Sequence, residues 1–378
     1  MAFIPANKLN GIDVSVIRQW NAKKKPNTIN LGIGELPWEA PQAFRDAGAN
    51  AFSYSQLKYT PNAGLPKLRE GIANEFGKYI DKKVMPEQVI VTAGVEEALS
   101  VTFGTFLNTG DNVIIPEINF EPYRVLPRLN GAIPRIFRLN YDFSLNLEDL
   151  ESKIDEKTKL VVINSPGNPT GKVLDDNNLI GLSGVLNRHK NLYVLSDEIY
   201  SHLHFQNEVP RSIAEYTDRF VVVNGLSKRA SAAGSRLGWM ISQPEVINQA
   251  VKLHQYTVSC APTPSQLAAI PVLEGKTKSE ELVLRMKLMK NRDYAYNYLM
   301  QNEGINLQSP QGAFFMFADI SKYGNSEEVA QRILDKSNVL VIPGIAFGSA
   351  GDKYIRISYA VNDSDLIDGI KGISGALK

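Results

Sequence analysis

Short apolar runs rich in valine and isoleucine punctuate the middle of this chain, with longer stretches of helical character between them. Residues 88–92, 112–116, 159–164, 191–196 and 219–224 read as strands, and 96–107 reads as the helix after the first. These runs show little polar–apolar alternation, as expected for strands buried on both faces. Strands separated by helices join in parallel. The expected fold is therefore α/β, a mostly parallel central sheet with helices on both faces. Residues 239–242 add one more strand. After a long helix over 280–301 the character changes: 313–319, 339–343 and 354–359 read as strands around two helices, a smaller α+β unit. A chain of 378 residues suits one large domain plus a smaller one.

Charge and composition remove several classes of function. Net charge is +1 with 21% charged and 43% hydrophobic residues, so no basic field for nucleic acid and no acidic partner surface is expected. Cys260 is the sole cysteine, which fits a reducing compartment. The first residues carry no apolar stretch of signal-peptide length, and no run approaches the ~20 apolar residues of a membrane span. The expectation is a cytoplasmic protein with no membrane contact. His202 and His204 alternate but lack a third ligand at suitable spacing, so no metal is expected. Gly32 and Gly34 lack the third glycine of a dinucleotide fingerprint, since position 37 is Pro37.

Three polar segments sit just past the strand-like runs. Ser165-Pro166-Gly167-Asn168-Pro169-Thr170-Gly171 follows the third and Ser196-Asp197-Glu198-Ile199-Tyr200 closes the fourth. Gly225-Leu226-Ser227-Lys228-Arg229 follows the fifth, with Gly234, Arg236 and Gly238 behind it. Open α/β sheets bind ligands at the carboxyl ends of their strands, which is where Asp197 and Lys228 fall. A lysine amine can condense with an aldehyde and, once released, can move a proton. A carboxylate can keep a pyridine nitrogen protonated. Gly94-Val95-Glu96 opens the helix after the first strand, where free amides and the helix dipole attract an anion. Arg236 adds a two-pronged phosphate donor, and Ser227 a hydroxyl. Singly, each has a plainer reading: a solvated lysine, a helix-capping aspartate, a turn asparagine. Together they supply what pyridoxal 5′-phosphate asks of a protein.

The order and spacing of these segments resemble the class I/II aminotransferases, which are fold-type I pyridoxal-phosphate enzymes. The likeness runs from about residue 31 to 360. It implies an N-terminal segment, 1–40, that joins the small domain, a large cofactor domain over 41–275, and a small C-terminal domain over 276–378. It implies that Tyr200 and Asn168 bond the cofactor's phenolic oxygen, Asn168 the substrate carboxylate as well, and that Phe120 stacks on the cofactor ring. Tyr59, in Tyr59-Thr60-Pro61-Asn62-Ala63-Gly64, matches a tyrosine that reaches the phosphate of the neighbouring subunit, so the resemblance also implies a homodimer with shared active sites. Lys228, Asp197 and Tyr200 are the implied catalytic residues. The implied reaction moves an amino group between an L-amino acid and a 2-oxo acid. A carbon–sulfur β-lyase or a decarboxylase on the same scaffold is the alternative, because fold does not fix reaction type.

Arg356 is the candidate for the substrate carboxylate. In Tyr354-Ile355-Arg356-Ile357-Ser358-Tyr359 alternation sets it opposite two isoleucines, and an arginine turned inward needs an anion. Gly34 is expected to let backbone approach the same carboxylate. Here the chain departs from the family, whose Gly-Glu-Pro-Asp-Phe run reads Gly34-Glu35-Leu36-Pro37-Trp38. No motif places a second arginine for an acidic side chain; Arg18, Arg124 and Arg128 all stay open.

Overall fold

The computed structural model describes residues 3–54 and 57–378. Among the described residues, twelve strands run in chain order as β1 (Ile29–Asn30), β2 (Val89–Thr92), β3 (Asn112–Pro116), β4 (Ile133–Phe137), β5 (Thr158–Asn164), β6 (Tyr193–Asp197), β7 (Phe220–Gly225), β8 (Gly238–Ser242), β9 (Phe315–Asp319), β10 (Val339–Leu340), β11 (Ile342–Pro343) and β12 (Tyr354–Ser358). The central sheet has seven strands in the order β2-β8-β7-β6-β5-β3-β4. β3 to β7 pair in parallel, and β8 runs antiparallel to both its neighbours. The mostly parallel sheet read from the sequence is what the chain forms.

The apolar runs explain the layering. Along β7, Phe220 and Val222 face one core with Val161 and Val194, while Val221 and Val223 face the other with Val162 and Leu195. Helices cover both faces, so the inner strands are buried on both sides. β4 was not read from the sequence. It is an edge strand whose Ile133 and Ile136 are exposed, and Pro134 and Arg135 interrupt its apolar pattern.

The C-terminal unit has its own three-stranded sheet, β11-β12-β9. The expected single strand at 339–343 is two short ones. β10 pairs with β1 in parallel, and β11 crosses to pair antiparallel with β12. The amide of Leu31 donates to Leu340 O at 2.9 Å and that of Ser358 to Leu31 O at 2.7 Å, stitching the N-terminal segment to this unit. The long helix spans Lys278–Leu299.

One buried cation ties the parts together. Arg229, on the short helical turn Leu226–Arg229, donates to Glu75 at 2.7 Å and to Glu281 at 2.9 Å. Glu75 belongs to the helix Pro66–Tyr79 and Glu281 to the helix Lys278–Leu299. Burial alone would raise the Glu75 pKa, but His202 and the Arg229 charge outweigh it and hold it at about 2. A depressed carboxyl pKa contributes stability above its unfolded value that is lost as pH falls through its folded value, here from about 4 towards 2. Arg229→Met leaves two carboxylates facing each other without the cation. Urea unfolding at pH 7 is expected to show a loss of about 3–5 kcal/mol; a variant within about 0.5 kcal/mol of the parent would show that the triad does not hold these helices.

Candidate active site

β5, β6 and β7 are neighbours in register, with Asn164 opposite Asp197 and Asp197 opposite Val223. The three polar segments therefore leave the sheet side by side at its carboxyl edge. A cavity of about 220 Å³ opens there, lined by Gly34, Val95, Glu96, Phe120, Asn168, Asp197, Tyr200, Ser227, Lys228, Arg236 and Arg356. Of the cofactor- and substrate-site residues expected from the resemblance and from Arg356 and Gly34, Gly94 and Tyr59 are the two outside this lining. Gly94 precedes Val95 and packs beneath Arg236, whereas Tyr59 lies on the surface, 88% exposed.

Asp197 is buried and its oxygens take a hydroxyl and an amide. Tyr123 donates to Oδ2 at 2.7 Å and the Ile199 amide to Oδ1 at 3.1 Å. Burial pushes its carboxyl up to about 6, against these hydrogen bonds and the nearby Lys228 charge. Tyr123 was not singled out in the sequence. It comes from the helix Pro122–Leu129, far along the chain, and only the fold brings it to Asp197. Asn164 was also passed over. Its amide donates to Asp197 O at 2.8 Å and its carbonyl accepts from the Asn168 amide at 2.7 Å, locking two of the segments together.

The anion end is built from backbone. Gly94 has φ of 87°, a left-handed conformation natural to glycine, and it begins the helix Val95–Phe106. A Cβ on Gly94 would meet Arg236 Nη2 at 2.7 Å, and one on Gly238 would meet Val95 N at the same distance. The two glycines thus let the guanidinium and the strand β8 close on the helix start. Arg236 also lies 3.8 Å from Glu96.

Lys228 reaches from the turn after β7 and donates to Gly34 O. Burial and the Arg356 and Arg236 charges lower its amine to about 8, while Glu35 and Asp197 oppose them. Arg356 comes from β12. It donates to Asn168 Oδ1 at 3.0 Å and to Gly32 O at 2.7 Å, between the rings of Phe315 and Phe347. Its Nε is buried without a partner, and burial lowers its pKa to about 10. Its partners are neutral, which leaves a buried cation open to an incoming anion. Tyr200 packs edge-on to Phe314 and Phe315, and burial pushes its hydroxyl up. Phe120 meets Tyr123 edge-on at 5.8 Å.

A buried acid, a lowered amine, an anion cradle and an unsated arginine meet in one cavity. In the absence of added ligand, Lys228 is expected to react with an amine-acylating reagent with a midpoint near pH 8. Arg356→Leu removes a neighbouring cation and is expected to raise that midpoint. A midpoint at the ordinary lysine value of about 10.4 would contradict the cavity's electrostatics.

The comparisons with known proteins agree with this geometry. The family "aminotransferase class I and II" matches residues 26–373. A probable aspartate aminotransferase of Methanocaldococcus jannaschii is 35% identical over 367 residues, 96% of either chain. Among solved structures, the aspartate aminotransferase of Thermus thermophilus with maleate superposes with a TM-score of 0.94 at 27% identity, over 100% of both chains. An aromatic aminotransferase of Pyrococcus horikoshii gives 0.89 at 31% identity, over 96% of this chain and 98% of that one. The chain belongs to the class I and II aminotransferases.

Proposed function

We propose that this cavity holds pyridoxal 5′-phosphate and that the chain moves an amino group between an L-amino acid and a 2-oxo acid. The observation that carries the reading is the convergence of Lys228, Asp197, the Val95 helix start and Arg356 on one cavity at the sheet's carboxyl edge. When bound, the cofactor supplies an aldehyde that accepts amino groups and a ring that takes up the electrons left when a proton leaves the substrate α-carbon. Asp197 would face the ring nitrogen and keep it protonated, with Tyr123 and Asn164 fixing the carboxylate and its backbone. The amides of Gly94, Val95 and Glu96, with Ser227 and Arg236, would hold the phosphate. Asn168 and Tyr200 would donate to the phenolic oxygen, and Phe120 would cover the ring. Arg356, with Asn168 and the backbone at Gly34, would grip the substrate α-carboxylate. Lys228, an amine already lowered by its surroundings, would take the α-proton and return it to the carbon of the cofactor's former aldehyde, across the substrate nitrogen.

The fit rests on the donor set. Asp197 is a buried acid with no cation hydrogen-bonded to it, and Arg356 Nε lacks any partner; a protonated ring nitrogen and a carboxylate would complete them. We also read residues 1–40 and 276–378 as one small domain against a large domain over 41–275. The ordinary charge and the lone Cys260 support a cytoplasmic enzyme. Among the described residues no helix is long and apolar enough to cross a membrane.

Three results test the reading. Borohydride reduction of the reconstituted protein is expected to fix the cofactor on Lys228 and on no other lysine, and Lys228→Ala is expected to abolish both labelling and turnover. Label at another lysine would end the assignment, and release of ammonia without an oxo-acid acceptor would favour the lyase. Arg356→Leu is expected to weaken binding of amino acids by about 2–4 kcal/mol while leaving simple amines nearly unchanged. Equal losses for both would make Arg356 a structural residue.

Tyr59 is exposed within its own chain, which leaves it free to contact another subunit. We propose a homodimer in which it donates to the partner's phosphate. Tyr59→Phe is expected to raise the cofactor dissociation constant about tenfold with unchanged circular dichroism, the loss of one charge-assisted bond. A monomer that is active at assay concentration by sedimentation would refute the shared site.

A further inference from the structure

The cavity does not end at Arg356. It opens outward into a wider one of about 770 Å³, and the two share Ile17, Gly34, Glu96, Phe120 and Ala233. Under the function proposed above, on which this inference rests, the α-carboxylate is held at Arg356 and this adjoining outer space receives the substrate side chain. Its inner wall is apolar, formed by half-buried Ile17, Phe120 and Leu126. Its polar lining is acidic: Asp13, Glu35, Glu96 and Glu121 against the single cation Arg18.

The other cations nearby are committed. Lys228, Arg236 and Arg356 line the inner cavity, where they serve the amine, the phosphate and the α-carboxylate. Of the arginines left open by the sequence, Arg124 donates to Ala346 O at 2.9 Å and Arg128 to Asn10 O at 3.3 Å, and neither lines the outer cavity. Arg18 lines it but lies exposed on its helix, Val16–Ala22. Among the described residues of this chain, a side-chain carboxylate in this space would have apolar walls, four like charges lining it and no buried cation beside it.

We propose that the amino donor of this chain carries a neutral or basic side chain, and that aspartate and glutamate are poor donors. The apolar wall takes the carbons next to the α-carbon. The acidic rim rejects a second carboxylate by like-charge repulsion and tolerates a terminal amine. Some relatives carry names that specify aspartate; in this chain the acidic rim of Asp13, Glu35, Glu96 and Glu121 is what disfavours it.

The test uses the cofactor-loaded protein in the first half-reaction, followed by loss of the bound cofactor's absorbance. Leucine, methionine and lysine are expected to exceed aspartate and glutamate in kcat/KM by about tenfold or more at low salt, with the gap narrowing as salt screens the rim. Calorimetry with 2-methylaspartate and 2-methylleucine, which lack the α-hydrogen and so cannot be transaminated, should show the same order in dissociation constant. Asp13→Asn combined with Glu121→Gln should narrow the gap several-fold. Aspartate equal to or better than leucine in rate and binding overturns the proposal while leaving transamination intact, and so does a gap unmoved by the double variant. If no amino acid discharges the cofactor, transamination itself fails, and the calorimetric order still decides which side chain the cavity takes.

Discussion

Asp197 is the residue on which the arrangement depends. It is a carboxylate buried at the end of a central strand, held by one hydroxyl and one amide. Burying a charge this way is costly unless a cation answers it. The folded chain accordingly holds the proton more tightly than the unfolded one, so Asp197 detracts from stability as pH rises from about 4 to about 6. A protonated ring nitrogen against the carboxylate would reverse that sign, because an adjacent positive charge favours the ionised acid. On the proposed reading the protein keeps, at some cost to its ligand-free form, an acid whose partner would arrive with the cofactor.

The sheet makes this placement possible. Parallel pairing of β5, β6 and β7 puts three chain ends within reach of one cavity, and the register Asn164–Asp197 lets one asparagine hold both the acid's backbone and the Asn168 loop. The antiparallel β8 returns Gly238 beneath the start of the helix Val95–Phe106, where no side chain would fit. Arg229 anchors the Lys228 turn from behind to two helices. Arg356 arrives from the C-terminal sheet, so the site is complete only when both sheets are in place.

Much of this was legible in the chain because the informative residues are local. Lys228, Asp197 and Asn168 each follow an apolar run, and strand ends are visible in one dimension. Arg356 was legible through its alternation with Ile355 and Ile357. Tyr123 and Asn164 were not, because their roles lie in contacts to Asp197 across long sequence separations. The edge strand β4 was hidden because an edge needs no continuous apolar run. The division of 339–343 between two sheets leaves no mark in a sequence that is apolar throughout. The Arg229 triad was invisible for the same reason as Tyr123: Glu75 and Glu281 are distant in the chain.

The most direct measurement of the central claim is the nitrogen-15 chemical shift of ring-labelled pyridoxal 5′-phosphate bound to the protein. The account predicts a protonated ring nitrogen from about pH 6 to 9, well above its value in water, and loss of that signature in Asp197→Ala. A neutral nitrogen in the parent protein at pH 7, or a protonated one that survives Asp197→Ala, would contradict it.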